Sequence, residues 1–185
     1  NEGTTDGANF LGTTDDVALD FHVNGLRAFR LTPNGNGPNV IGGSESNFIL
    51  EGVYAATIGG GVNNTASSQY ATVGGGFLNN ADANFAAIGG GVSNTVNGVS
   101  ATVGGGSANT ASADYATIGG GLANTANGAI STIGGGWDNT ASGGASTIGG
   151  GRLNTASADY ATISGGGPSD LQDTDNTNNS VYDNY

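Results

Sequence analysis

The chain has 185 residues and a net charge of −12, with three arginines and no lysine. Nucleic-acid binding needs a basic footprint and docking to anionic lipid needs clustered cations, so neither partner is expected. The absence of cysteine removes disulfide frameworks and thiolate metal sites, and without an apolar run of about 18 residues the segment is expected to make no direct membrane contact.

Residues 1–40 are not repetitive and read as an N-terminal β-hairpin connector. Val17, Leu19, Phe21 and Val23 alternate with Ala18, Asp20 and His22, which is strand periodicity. Asn24-Gly25 follows, and Leu26 to Leu31 alternates again. Asn-Gly between two alternating runs predicts a two-residue hairpin turn, since both positions need positive φ. The implied register sets Val23 against Leu26, His22 against Arg27, Phe21 against Ala28, Asp20 against Phe29 and Leu19 against Arg30. Asp20 and Arg27 are then diagonal neighbours within reach of a weak ion pair. His22 is expected to face solvent beside Arg27. The run Pro33-Asn34-Gly35-Asn36-Gly37-Pro38 reads as a hinge before the next segment.

Residues 41–163 form a repeat array. An apolar anchor falls at Ile58, Val73, Ile88, Val103, Ile118, Ile133, Ile148 and Ile163, always fifteen residues apart. Three glycines follow each of the first seven anchors, and an asparagine follows six residues after each, from Asn64 to Asn154. The unit reads A-T-I-G-G-G-x-x-N-T-A-S-x-x-Y. A fixed period of this kind marks a solenoid in which each unit is one coil stacked on the next. Triple glycine every fifteen residues excludes helix, at a cost of about 1 kcal/mol per glycine. Ile41-Gly42-Gly43 with Asn47 begins a degenerate first coil, seventeen residues before Ile58.

Within a coil, two short strands and two turns are expected. In one strand Ala71 and Val73 share the inner face; in the other Asn109 and Ala111 do. The eight anchors and two alanines per coil form the expected core. The asparagines are expected to form a stacked amide ladder or to bond the turn backbone. So thin a core buries little apolar surface, so further burial is expected from partner chains. The tyrosine face, with Tyr70, Phe85, Tyr115, Ile130 and Tyr160, is the natural place for it.

Residues 164–185 read as an inserted loop and a partial coil. Asn179 to Tyr185 restores the repeat phase, and the polypeptide is expected to continue beyond Tyr185. Asp170, Asp173, Asp175 and Asn178 could supply oxygen ligands to Ca²⁺, but their spacing is loose and the glycine of a calcium loop is missing, so a solvated loop is the better reading.

No catalytic constellation is present, and neither enzymatic activity nor a cofactor is expected. His22 stands alone, and the glycine triplets lack the lysine and following helix of a phosphate-binding loop. The fourth position after the anchor varies: Val62, Phe77, Val92, Ser107, Leu122, Trp137 and Arg152. Positions that accept Trp, Ser and Arg alike do not belong to a tight core. Phe77, Leu122, Trp137 and Arg152 on this row, with Asp114 and Asp159 in the second turn, are the candidate contact surface. A wedge between protomers is the other reading of the row. The threonine row invites an ice-binding comparison, weakened by one threonine per strand and by Ala87.

The repeat resembles the head repeats of trimeric autotransporter adhesins, which use a slightly shorter unit. The front segment, Asn9 to Asp15 with Val23 to Leu31, resembles stretches that precede such arrays in large bacterial surface and tail-fibre-like proteins. The resemblance implies an all-β, parallel β-solenoid, a left-handed β-roll, assembled as a homotrimeric fibre. It also implies a non-enzymatic stalk or adhesin head at the bacterial cell surface or outside the cell, with a host-cell, glycan or surface receptor as partner. A phage or injection-system tail fibre and an ice- or polysaccharide-binding solenoid are the alternatives.

Overall fold

The computed structural model describes residues 11–167 and the strand Val181–Tyr182. Among the described residues there is no helix; the architecture is a parallel β-solenoid of about eight turns with an antiparallel element at each end of one sheet.

The hairpin consists of β1 (Leu19–Val23) and β2 (Leu26–Thr32), joined by Asn24 (φ 50°) and Gly25 (φ 76°). Both turn residues are left-handed, as the Asn-Gly signal requires. Val23 pairs with Leu26 and His22 with Arg27, in the expected register. Beyond them the register slips by one. Phe21 pairs with Phe29, Asp20 with Arg30 and Leu19 with Leu31, because Ala28 is inserted as a β-bulge. The bulge turns the Ala28 carbonyl to accept from the Gly43 amide of the first coil (3.0 Å). It also corrects the expected ion pair: Asp20 is held by Arg30, not Arg27. Arg30 donates from Nε to Oδ1 (2.7 Å) and from Nη2 to Oδ2 (2.5 Å). This two-pronged contact holds the Asp20 carboxyl below the usual carboxylate range.

The segment 33–38 is not a hinge. It closes a second antiparallel pair, in which β2 lies against β3 (Asn39–Gly42) from Phe29↔Gly42 to Thr32↔Asn39. The hairpin is thereby the edge of the same twelve-stranded sheet that runs through the array.

The first coil holds β3 and β4 (Phe48–Ile49), and the second holds β5 (Thr57–Ile58) and β6 (Thr65–Ala66). Ile41 stacks on Ile58 and Ile49 on Ala66, so the two extra residues of the first coil fall between Ile49 and Ile58, in the second turn. The two dipeptide strands then recur every fifteen residues, down to β18 (Thr155–Ala156) and β19 (Thr162–Ile163). Every residue pairs with its own counterpart: Thr102 with Thr117, Val103 with Ile118, Ala111 with Ala126.

A third ladder completes the coil. Val62, Phe77, Val92, Ser107, Leu122, Trp137 and Arg152 form successive single-residue parallel bridges. The expected pair of strands per coil was thus one short.

The core is the expected one. All eight anchors are buried, with the alanines Ala71, Ala86, Ala101 and Ala116 on one side and Ala66, Ala81, Ala111, Ala126 and Ala141 on the other. Ser131 and Ser146 take the alanine place in two coils, and their buried hydroxyls lack partners. The asparagine row is as buried as the isoleucines. Asn109 shows its task. Its amide N–H and Nδ2 both donate to Asn94 Oδ1 (3.0 and 3.1 Å), and Nδ2 also donates to the Gly105 and Gly121 carbonyls (3.0 Å each). Each side chain therefore fastens its own glycine turn, the turn above and the asparagine below. Both readings proposed for this row hold together.

The glycines divide by role. A Cβ on Gly119 would meet the Gly134 carbonyl oxygen at 2.4 Å, and one on Gly121 (φ +93°) would meet that of Gly136 at 2.2 Å. These positions admit only glycine. The middle residue, Gly120, has nothing nearer than 4.0 Å and a backbone open to other residues.

At the far end, Val181 and Tyr182 (β20) pair antiparallel with Ile163 and Thr162. The sequence phase had placed Val181 on the other sheet, above Ala156. Asp170, Asp173, Asp175 and Asn178, weighed above as oxygen ligands, lie outside the described residues.

Candidate functional site

Two apolar rows run along the outside of the array. Phe77, Leu122 and Trp137 belong to the third ladder, and each is a little under half exposed. Their bridging hydrogen bonds to the coil above keep the side chains in line, with Val92 and Ser107 between Phe77 and Leu122: Phe77 donates its amide to Gly91, Leu122 to Gly136 and Trp137 to Gly151 (2.9 Å each). Arg152 ends the row, and its guanidinium lies 4.2 Å from the Trp137 ring centre, a cation–π contact.

The second row is the tyrosine face. Tyr70, Phe85, Tyr115, Ile130 and Tyr160 are all exposed, Ile130 at 62% and Tyr160 at 71%. The Tyr70 and Phe85 rings stack in parallel, 4.8 Å apart, which is the spacing of neighbouring strands. Tyr54 meets Tyr70 edge-on at 5.3 Å, and its hydroxyl, hydrogen-bonded to that of Tyr70, pushes the Tyr70 phenol up from its ordinary value. Each residue of this row sits at a coil corner in the left-handed region, from φ 53° at Ala145 to 62° at Ile130. A second left-handed corner follows the third ladder at Asn63, Leu78, Ser93, Ala108, Ala123, Asp138 and Leu153. Such backbone costs roughly 1–2 kcal/mol for a residue other than glycine. It persists because the corner amides are used: Tyr115 N–H donates to Val99 and Ala108 N–H to Val92 in the coil below (2.9 Å each).

The two aspartates proposed as contact residues have a structural task. Asp114 Oδ1 accepts from the Val99 amide (2.9 Å) and Asp159 Oδ1 from the Gly144 amide (2.7 Å), each one coil below. They fasten the second turn to the coil below. The four row residues are thus brought onto one face, whereas the aspartates belong to a different edge and do not join them.

Sequence reasoning missed Arg27. Its Nη2 donates to the carbonyls of Ser44 (3.0 Å) and Asn47 (3.3 Å) in the first coil. One coil higher, the corresponding carbonyls of Gly61 and Asn64 accept from the Ser44 and Phe48 amides. Arg27 thus stands in for the coil that would precede the first one. The only forewarning in sequence was the pair of arginines, Arg27 and Arg30, placed before the array.

A shallow apolar cavity of about 180 Å³ lies where the hairpin meets the 33–38 loop, lined by Leu11, Val17, Leu19, Leu31, Pro33 and Pro38. Gly12, Thr13 and Thr32 complete its lining, which carries no charged side chain. No family model and no curated protein matches the chain.

Proposed function

We propose that this chain is a non-enzymatic structural and adhesive segment of an extracellular bacterial fibre, a stalk or adhesin head, assembled as a homotrimer. A tail-fibre segment would use the same physics. The observation that carries the reading is the pair of exposed, largely apolar rows along the array, interrupted at Ser107 and Ser100. A row repeated every coil and multiplied by association presents many weak contacts, so avidity replaces a deep pocket.

The tyrosine row is the assembly face in this reading. Ile130 supports it: a β-branched side chain at φ +62°, 62% exposed, is unfavourable twice over in an isolated chain. A partner surface would offset both costs. The Ile130→Asn variant separates the cases, since asparagine accepts a left-handed corner. In an assembled fibre it lowers the melting temperature and loosens association measured by sedimentation. A rise in melting with a stably folded monomer would overturn the assembly reading.

The third-ladder row is the outward contact face. Replacing Phe77 and Trp137 together by serine should abolish attachment to cells or glycans while leaving melting unchanged. Loss of melting instead would place the row between protomers and remove the adhesive assignment.

A further inference from the structure

The array repeats so closely that its departures stand out. Trp137 is the chain's single tryptophan, and Arg152, on the next coil, is the only arginine outside the hairpin. They are stacked on each other at 4.2 Å. Arg27 and Arg30 have acceptors in the hairpin and first coil. Arg152 has neither an acidic partner nor a side-chain acceptor among the described residues, and its Nε is buried without one. Next to Trp137 is Asp138, exposed at a left-handed corner and likewise without an ion pair among the described residues. Below Trp137 the row continues as half-exposed Leu122.

We propose that Trp137, Asp138 and Arg152 form a subsite for a single carboxylate-bearing sugar ring set among neutral sugars of a polysaccharide. This rests on the reading of the third-ladder row as a contact face and names its ligand. A guanidinium resting on an indole is restrained, and with Nε buried its two Nη groups are the N–H donors left to match a carboxylate. The exposed edges of Trp137 and Leu122 offer apolar surface to the C–H face of a sugar ring. Asp138 can accept only from donors, and sugar hydroxyls are such donors. The charge pattern favours a sugar over an acidic peptide. An acidic peptide would bring several carboxylates against Asp138 and a chain of net charge −12, whereas a sugar ring brings one and places it on Arg152.

Because Trp137 is the sole tryptophan, its fluorescence reports the subsite directly. The full chain is titrated with a neutral oligosaccharide carrying a single terminal glucuronate and, in parallel, with the methyl ester of the same oligosaccharide, which keeps the ring and removes the charge. The expected result is a saturable change with the acid and binding about tenfold or more weaker with the ester, the scale of one charge-assisted hydrogen bond. Arg152→Gln should lose the same factor. Arg152→Lys should fall between, keeping charge but not the fork. Equal response to acid and ester, no saturable response in the wild type, or unchanged binding by Arg152→Gln would each overturn the proposal. So would an Arg152→Gln variant whose sedimentation changes without any ligand response, because Arg152 would then face another copy. If Phe77→Ser with Trp137→Ser abolishes attachment while Arg152→Gln does not, the row reading survives and this one fails.

Discussion

The hairpin and the array are parts of one sheet, yet their registers are set differently. In the hairpin, two different sequence segments face each other, so the register depends on where a single inserted residue falls. Ala28 shifts every pair beyond His22. In the array each residue lies on its own copy, and a slip of one would break the asparagine ladder, the glycine contacts and the core together. Translation specifies the register many times over, and one local irregularity cannot displace it. The lesson is that repetition gives a redundancy that a hairpin, with only its turn and its neighbour to guide it, lacks.

The largest expected break in this contrast is Ile118→Asp. An unpaired charge would stand in the middle of the core, at about 3–5 kcal/mol, and hydrogen exchange should show protection lost across the array while the hairpin amides change least. Next comes a pair of single-methyl changes. Gly121→Ala forces a left-handed alanine against the Gly136 carbonyl and should cost about 2–4 kcal/mol. Gly120→Ala should be neutral or stabilising by about 0.4–1 kcal/mol. Equal melting of the two variants would refute the division of labour within the glycine turn.

Arg27→Ala tests the junction of the two regions. Loss of charged hydrogen bonds to Ser44 and Asn47 should cost about 1.5–3 kcal/mol, with exchange protection falling first in the first coil. The smallest effect is in the hairpin. Pairing with Arg30 lowers the folded-state pKa of Asp20. Its contribution is therefore complete above the unfolded carboxylate value, about 3.9, and fades as pH falls through the lower folded value. At this exposure it is worth less than about 1 kcal/mol. A pH-resolved melt of the wild type against Asp20→Asn should differ above about pH 4 and converge in stronger acid.

What the sequence made legible follows from the same contrast. The anchors, the alanine pair and the asparagine row were readable because each recurs at a fixed phase beside residues of opposite character. The third ladder was not, because one bridging residue per coil leaves no alternation to detect and its identities range from serine to tryptophan. Within the contact surface, the shared row of Phe77, Leu122, Trp137 and Arg152 was visible as a row. The stacking of Trp137 under Arg152 was not named, although coil spacing alone makes them neighbours. Asp114 and Asp159 looked like free charges because nothing local shows the amides of Val99 and Gly144 arriving from the coil below. Arg27 was hidden for a related reason: an unmet carbonyl at the end of a stack exists only in three dimensions.

The first coil carries its two extra residues in the second turn, and the stack above it keeps its phase. Insertions there are absorbed by a loop, whereas the glycine turn, pressed against the next coil, has no slack on either side of its middle residue. The gene for such a protein can therefore change in two distinct ways. Unequal exchange between near-identical repeats lengthens or shortens the fibre by whole coils, about 4.8 Å at a time, without disturbing any contact already made. Small insertions at the second turn instead decorate a chosen coil at constant length. Reach and surface chemistry are then separately heritable, because one corner of the coil tolerates extra residues and another does not.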